Sequence, residues 1–480
     1  MDYKRFFRKK DIKTLLLEAS KQQFNRTLNA FQLIMLGIGA IVGAGIFVFA
    51  GSAASTSAGP AVVLSFIVGA CACACAALCY AELASTIPLS GGAYSYAYVT
   101  FGELAAWLIG SLILVGNIFM LSAVVVGWSG YVIAFLEQFG ITIPLSLTYH
   151  TGQIATMPDG TSITGIFNIL SIVITSLVCM ILYKGVATSA VVNNVIVIIK
   201  IVVLTSFIVI GAMYINVENW FPFIPEHIEE TGQFGIQGVF GGAAIVFLAF
   251  NGFDTVASAA QETKNPQRDL PIGVIGSLLV SAVIYILVSG VLTGLVNYKE
   301  LNVPQPMALA VKAMNMPWFA VVINIGAICG LASVTLVMTY AVVRIAFTMA
   351  SDNLLPGFLK TLHPKNKTPY IGTILVTSII CLLAGTCSLD AMVNIGNFCV
   401  IVVFIIVCVM AMYLRYTQPE LKREFVCPMM PFIPLIGIGL FVLFLVNMPD
   451  KTAVVYFLGL IVISTMYYLV RVAITSEKKM

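Results

Sequence analysis

Charge is what this 480-residue sequence has least of. Lys, Arg, Asp and Glu make up 10% of it while 60% is hydrophobic; soluble domains average roughly 25% charged residues. A water-soluble globule of this length could not hide so much apolar surface, so the bilayer is part of its solvent. Histidine is also scarce. His150, His227 and His363 all fall in loops, which weighs against a histidine-based catalytic or metal site inside the membrane. No His-Glu-x-x-His and no Gly-x-Gly-Asp occurs. Without a nucleophile–base pair, a carboxylate pair or a metal cluster, an intramembrane enzyme is disfavoured, and no filter-like loop or ring motif argues for a channel. No secretory signal is expected, because the first thirty residues are polar and basic (Arg8-Lys9-Lys10-Asp11) before a long apolar series opens. The eleven cysteines sit almost entirely in apolar runs, and Cys71, Cys73, Cys75 and Cys79 crowd one of them. They fan around a helix and have no histidine beside them, so they read as small packing residues and not as a metal or redox cluster.

Apolar windows long enough to span a bilayer (about 20 residues each) fall near 31–56, 60–87, 103–134, 163–183, 188–214, 237–261, 271–296, 318–349, 370–388, 391–414, 430–448 and 452–474. They are numbered helices 1 to 12. An even number puts both termini on one side. With that side cytoplasmic, 21 of the 25 Lys and Arg fall on the inner side and three, Lys299, Lys312 and Lys451, on the outer. This bias supports both the count and the orientation. The outer loop before helix 6 is acidic, with Glu218, Glu226, Glu229 and Glu230. No repeat of 20–50 residues is visible, but helices 1 and 6 carry glycine breaks at corresponding points and enter from opposite sides. This is the trace of an inverted repeat, 31–214 against 237–414, with 430–474 as two added helices and tails at 1–30 and 475–480.

Helix 1 reads Gly37-Ile38-Gly39-Ala40-Ile41-Val42-Gly43-Ala44-Gly45-Ile46-Phe47. Each glycine weakens a helix by about 1 kcal/mol relative to Ala. Unwinding there frees backbone groups that protein, ligand or water must satisfy, and the second half-helix would present a positive end suited to a carboxylate. Close helix packing is the competing reading of the same glycines. Helix 6 reads Phe247-Leu248-Ala249-Phe250-Asn251-Gly252-Phe253-Asp254. A mid-membrane carboxylate such as Asp254 marks a site or a buried pair, or it caps the second half-helix. Two unwound breaks offer amides for a carboxylate and carbonyls for an ammonium, which together suit a zwitterionic amino acid.

Lys200 lies about twelve residues into helix 5, about 18 Å from its inner end at 1.5 Å per residue. Snorkelling cannot bring it to the interface. Burial favours the neutral amine, so this lysine could take a proton from one side and release it to the other. The alternative is a permanent charge that neutralises Asp254 or helix-end carbonyls. Asn193 and Asn194 read as interhelical glue. Glu82, Glu103, Arg344 and Arg415 read as interface anchors or gate pairs.

These residues resemble the amino acid–polyamine–organocation (APC) superfamily, in particular bacterial members of its cationic amino acid transporter branch. The resemblance runs over nearly the whole chain. It is carried by Gly43-Ala44-Gly45-Ile46-Phe47, by Tyr80-Ala81-Glu82-Leu83-Ala84-Ser85-Thr86-Ile87-Pro88 with Gly91-Gly92-Ala93-Tyr94-Ser95-Tyr96, and by Gly127-Trp128-Ser129-Gly130-Tyr131. Gly252-Phe253-Asp254, then Glu262-Thr263-Lys264-Asn265-Pro266-Gln267-Arg268-Asp269-Leu270-Pro271, and Asp352-Asn353-Leu354-Leu355-Pro356 complete it. The resemblance implies an all-α polytopic membrane protein of LeuT-type fold, with five plus five inverted helices, helices 1 and 6 discontinuous, and two C-terminal helices. It implies alternating access around one site. The substrate carboxylate would lie on the amides of Gly43, Ala44 and Gly45, and the ammonium on the carbonyls of Ile41, Leu248 and Asn251. Lys200 would stand where sodium sits in sodium-coupled cousins, with Ser333 of helix 8 beside it and Asp254 in support.

Three departures matter. Relatives often carry acids early in helix 3, and the matching Ser111-Leu112-Ile113-Leu114-Val115-Gly116-Asn117 has none, which counts against a preference for cationic side chains. The aromatic gate of helix 6 appears as Leu248, with Phe247 and Phe250 adjacent. Asn251 replaces a typically apolar residue, so a polar or hydrogen-bonding substrate side chain is expected. The reading is a proton-coupled amino acid symporter of a bacterial inner membrane with both termini cytoplasmic, working as a monomer. Its partners are an amino acid, a proton and the bilayer, with no nucleic acid, cofactor or metal. An amino acid exchanger or polyamine carrier with Lys200 structural is the alternative.

Overall fold

A computed structural model describes residues 6–10, 26–156, 162–228, 233–303, 305–447 and 452–477. Most of the expected N-terminal tail, Glu229, Glu230, Lys451 and the last three residues lie outside these. The described chain is predominantly helical. Each of the windows holds a helix, and we label the helices to match: α1 Ala30–Ile41, α2 Val62–Thr86, α3 Glu103–Glu137, α4 Ile169–Lys184, α5 Val186–Ala212, α6 Gly235–Val246, α7 Pro266–Leu295, α8 Pro317–Ser351, α9 Tyr370–Thr386, α10 Leu389–Thr417, α11 Phe432–Val446 and α12 Thr452–Glu477. Eight helical stretches among the described residues are long and apolar enough to cross a membrane, the first running from Ala30 to Thr86 through two windows. That stretch turns at Gly59, whose φ of 63° ends the helix before Pro60. The fourth window opens early. Ser162–Thr164 pairs antiparallel with Ile154–Thr156, and the helix begins only at Ile169.

Along α5, burial is inverted relative to a soluble protein. On α5, Val191, Val195, Ile198, Val202 and Val209 are exposed, while Asn193, Lys200 and Phe207 on the opposite face are buried. Both sets repeat at helical spacing. An apolar face turned outward with a lysine turned inward is stable only where hydrocarbon, not water, surrounds the helix.

The two broken helices are positioned by local sequence. Asn29 starts α1 through a capping box: its side chain accepts from the Gln32 amide at 3.0 Å and its amide donates to Gln32 Oε1 at 2.9 Å. Just before it, the Thr27 and Leu28 amides donate to the Glu262 carbonyl, each at 3.0 Å, and Lys264 N donates to Leu28 O at 2.8 Å. The start of α1 is thereby stitched to the stretch that follows the second half of α6. Charged side chains tie further ends together. Glu82 receives Arg415 Nε at 3.0 Å, Arg423 Nε at 3.1 Å and the Cys427 amide at 2.9 Å. Glu262 pairs with Arg344, and Lys10 with Asp352. Glu103 is met by the hydroxyls of Tyr98 and Tyr468.

Both breaks are present. α1 ends at Ile41, Val42 is extended (φ −76°, ψ 102°), and helix resumes over Gly45–Phe49 with π geometry. α6 passes into a 3₁₀ turn at Phe247–Phe250, Asn251 is extended, and helix resumes at Thr255–Ser258. Gly252 has φ 123°, and a Cβ on it would lie 2.8 Å from Ala40 Cβ. Both conditions require glycine. Substituting Gly252→Ala should therefore cost about 1–3 kcal/mol through backbone strain alone. We expect a melting temperature in detergent lowered by several degrees, measured by thermal unfolding; an unchanged midpoint would contradict this reading of the break.

Candidate functional site

An interrupted helix leaves the last four carbonyls of its first half without intrahelical donors. In α1 these are Gly39, Ala40, Ile41 and the cap residue Val42, since the Val42 amide still donates to Ile38 O at 3.0 Å. Lys200 supplies three donors. Its Nζ lies 2.9 Å from Ile38 O, 3.2 Å from Gly39 O, 2.9 Å from Val42 O and 2.8 Å from Ser333 Oγ. Ser333 Oγ in turn lies 3.0 Å from Gly39 O. Lys200 Nζ thus stands at the negative end of α1, where a cation is favoured. Of the partners weighed from sequence for Lys200, the helix-end carbonyls and Ser333 are found. Asp254 is not: it sits at the start of the second half of α6 without a side-chain capping hydrogen bond, and its Oδ1 has no hydrogen-bond partner among the described residues. Asn193 Nδ2 donates to Met35 O at 3.1 Å, holding α5 to α1.

The Ile41 carbonyl is met by a residue the sequence reading did not single out. The hydroxyl of Tyr285, on α7, lies 2.8 Å from Ile41 O and 2.9 Å from Ala249 O, so one buried side chain bridges both breaks. A buried tyrosine hydroxyl needs a partner, and a lone Tyr in an apolar window was the available signal. The breaks also touch directly, since a Cβ on Gly45 would lie 2.2 Å from the Cα of Ala249.

Beside the breaks lies a cavity lined by Ala40, Ile41, Ala44, Gly45, Phe49, Met120, Ala123, Val124, Leu248, Asn251, Val334 and Met338. It gathers both halves of α1, the middle of α3, the α6 break and α8. Ile41, Ala44, Gly45, Leu248 and Asn251 are sequence-expected site residues that line it, and Gly43 sits between them in the chain. Phe247 and Phe250 do not line it. Phe247 packs on Phe404, Phe441 and Phe444, and Phe250 on Phe66 and Tyr285. The 3₁₀ turn explains the correction. With three residues per turn, Phe247 and Phe250 share one face and Leu248 and Asn251 another. Met120, Val124, Val334 and Met338 were missed, because α3 and α8 are apolar all round and give no periodic hint of which face meets a ligand.

None of the lining residues is charged, and Asn251 is the polar side chain among them. The amides of Gly43, Ala44 and Gly45 open the second half of α1, as the first amides of a helix do. Leu248 O accepts from Asn251 N at 3.2 Å, and a carbonyl keeps a second lone pair for a ligand.

A polytopic helical protein with two broken helices around a central cavity has the form of a membrane carrier. The comparisons with known proteins agree. Residues 28–475 match the family model described as Amino acid permease. The chain is 40% identical over 463 residues to the Methylthioribose transporter of Bacillus subtilis (strain 168), covering 96% of this chain and 97% of that one. It is 42% identical over 466 residues to the Branched-chain amino acid permease BcaP of the same organism, at the same coverage. Cationic amino acid transporter 9, chloroplastic, of Arabidopsis thaliana is 38% identical over 358 residues, 73% of this chain and 60% of that one. The chain belongs to the amino acid permease family of the APC superfamily, and it is a transporter and not an enzyme.

Replacing Tyr285 by Phe should remove one donor from two buried carbonyls, at a cost of about 1–3 kcal/mol. The expected result is a lowered melting temperature together with weaker substrate protection against heat. Unfolding and protection both equal to the parent protein would show that the hydroxyl does not hold the breaks.

Proposed function

We propose that this chain is a proton-coupled symporter that carries a neutral amino acid across a bacterial inner membrane by alternating access. In this reading all twelve helices span the membrane, with both termini cytoplasmic. The units 31–214 and 237–414 form an inverted five-plus-five repeat of LeuT type, α11 and α12 are additions, and one chain suffices. The amides of Gly43, Ala44 and Gly45 take the substrate carboxylate. The carbonyls of Ile41, Leu248 and Asn251 take its ammonium. The apolar lining takes the side chain, and Phe247 and Phe250 support the turn from behind.

The observation that carries the proposal is Lys200 Nζ seated on the carbonyl end of α1. While protonated, it supplies charge and three hydrogens to that end. On losing its proton it keeps two hydrogens and no charge, so its hold on α1 weakens. Substrate binding on the adjoining amides and proton binding at Lys200 then act on one element, the first half of α1, and each biases its position. Protonation-linked closure is followed by release of amino acid and proton on the other side. Ser333 and Asp254 support this arrangement, Ser333 by sharing Gly39 O with Lys200 and Asp254 by its place at the start of the second half of α6. The uncharged cavity favours a neutral side chain over a cationic one, since a buried cation needs a partner. Among the relatives, the branched-chain permease is named for substrates of that kind.

A strict exchanger is the second reading, favoured by the full set of oxygens already around Lys200, which would suit a fixed structural cap. Proteoliposomes separate the two. Symport predicts that an inward pH gradient drives uptake into empty vesicles and that Lys200→Ala abolishes the gradient effect while counterflow persists. Gradient-driven uptake unchanged in Lys200→Ala refutes coupling through Lys200. Uptake that requires internal amino acid establishes exchange.

A further inference from the structure

The side chain of Asn251 is buried, with 4% of its surface exposed, and neither its Oδ1 nor its Nδ2 has a hydrogen-bond partner among the described residues. It lines the cavity among aliphatic and thioether side chains. A buried amide left unpaired is costly, and local geometry does not force this one on the protein. The extended backbone of Asn251 (φ −61°, ψ 133°) is open to any residue. Leu248, one 3₁₀ turn earlier on the same face, shows that an apolar side chain is accommodated there. The amide therefore has work to do that the backbone of the break does not explain.

We propose that Asn251 is the specificity-determining residue of the cavity and that the substrate is a neutral amino acid whose side chain carries a hydrogen-bonding group, a hydroxyl being the simplest. This rests on the amino acid reading above and deepens it. A hydroxyl both donates and accepts, so it can donate to Oδ1 or accept from Nδ2. The carbon of the same side chain is covered by Ile41, Met120 and Val334. A purely aliphatic substrate of the same shape fills the same space but leaves the amide unpaired. Sites built to bond a hydroxyl discriminate strongly against the isostere that lacks it, whereas apolar pockets barely distinguish the two.

Threonine and valine are such a pair. Full-length protein in proteoliposomes, preloaded with unlabelled threonine for counterflow, is assayed with labelled threonine and labelled valine. The parent protein is expected to favour threonine by about tenfold or more in kcat/KM. Asn251→Leu is expected to lose that preference and to favour valine. Competition by serine, threonine, valine and leucine on the parent protein gives the same ranking without any variant, should Asn251→Leu fail to fold. Equal handling of threonine and valine by the parent protein overturns the proposal while leaving amino acid transport standing. An equal loss of both substrates in a folded Asn251→Leu also overturns it, because Asn251 would then hold the ends common to all amino acids. Absence of counterflow with every amino acid tried counts against the amino acid reading itself, and this proposal falls with it.

Discussion

A helix interrupted inside a membrane creates bare carbonyls in a medium that cannot hydrate them, and the centre of this protein is organised around meeting that demand. Leaving one such group unmet in hydrocarbon costs several kcal/mol. Here the carbonyl end of α1 is met from two sides, by Lys200 of α5 with Ser333 of α8 and by Tyr285 of α7. Three helices far apart in sequence thus converge on one helix end. The remaining lone pairs and the leading amides of the second half of α1 are what a zwitterion can use, so the device that stabilises the break also shapes the site.

The same economy explains the distribution of polarity. Apolar side chains face outward along α5 while its lysine and asparagine face inward. Ion pairs gather at helix ends, where Glu82 collects two arginines and Glu262 meets Arg344. Pairs of that kind are costly to break on one side only. The cavity lining is uncharged, and its single amide stands out because nothing among the described residues answers it.

Much of this was legible in the sequence. The windows mark the helices labelled α1 to α12, because twenty apolar residues in a row have few other uses, but not the shorter helices Ala93–Thr100 and Pro306–Ala313 between them. Glycine runs at Gly37–Gly45 and around Gly252 mark the breaks, and Lys200 marks itself by the cost of its position. Its contact with Ser333 was also foreseen, by family resemblance. What could not be read was contact between distant elements. No local pattern says that Tyr285 reaches both breaks. α3 and α8 are apolar on every side, so Met120, Val124, Val334 and Met338 do not announce the cavity. Phe247 and Phe250 were expected beside the substrate because they flank the break in sequence. The turn there is tighter than an α-helix, and it points them into the packing with α2, α7, α10 and α11.

The central claim is that the two breaks grip the two ends of one small zwitterion. A cryo-EM reconstruction of the protein with the amino acid that most raises its melting temperature tests it most directly. The account predicts ligand density whose carboxylate lies within hydrogen-bond distance of the amides of Gly43, Ala44 and Gly45, with the ammonium at the carbonyls of Ile41, Leu248 and Asn251. Ligand density away from both breaks, or α1 and α6 running through without interruption, would contradict it.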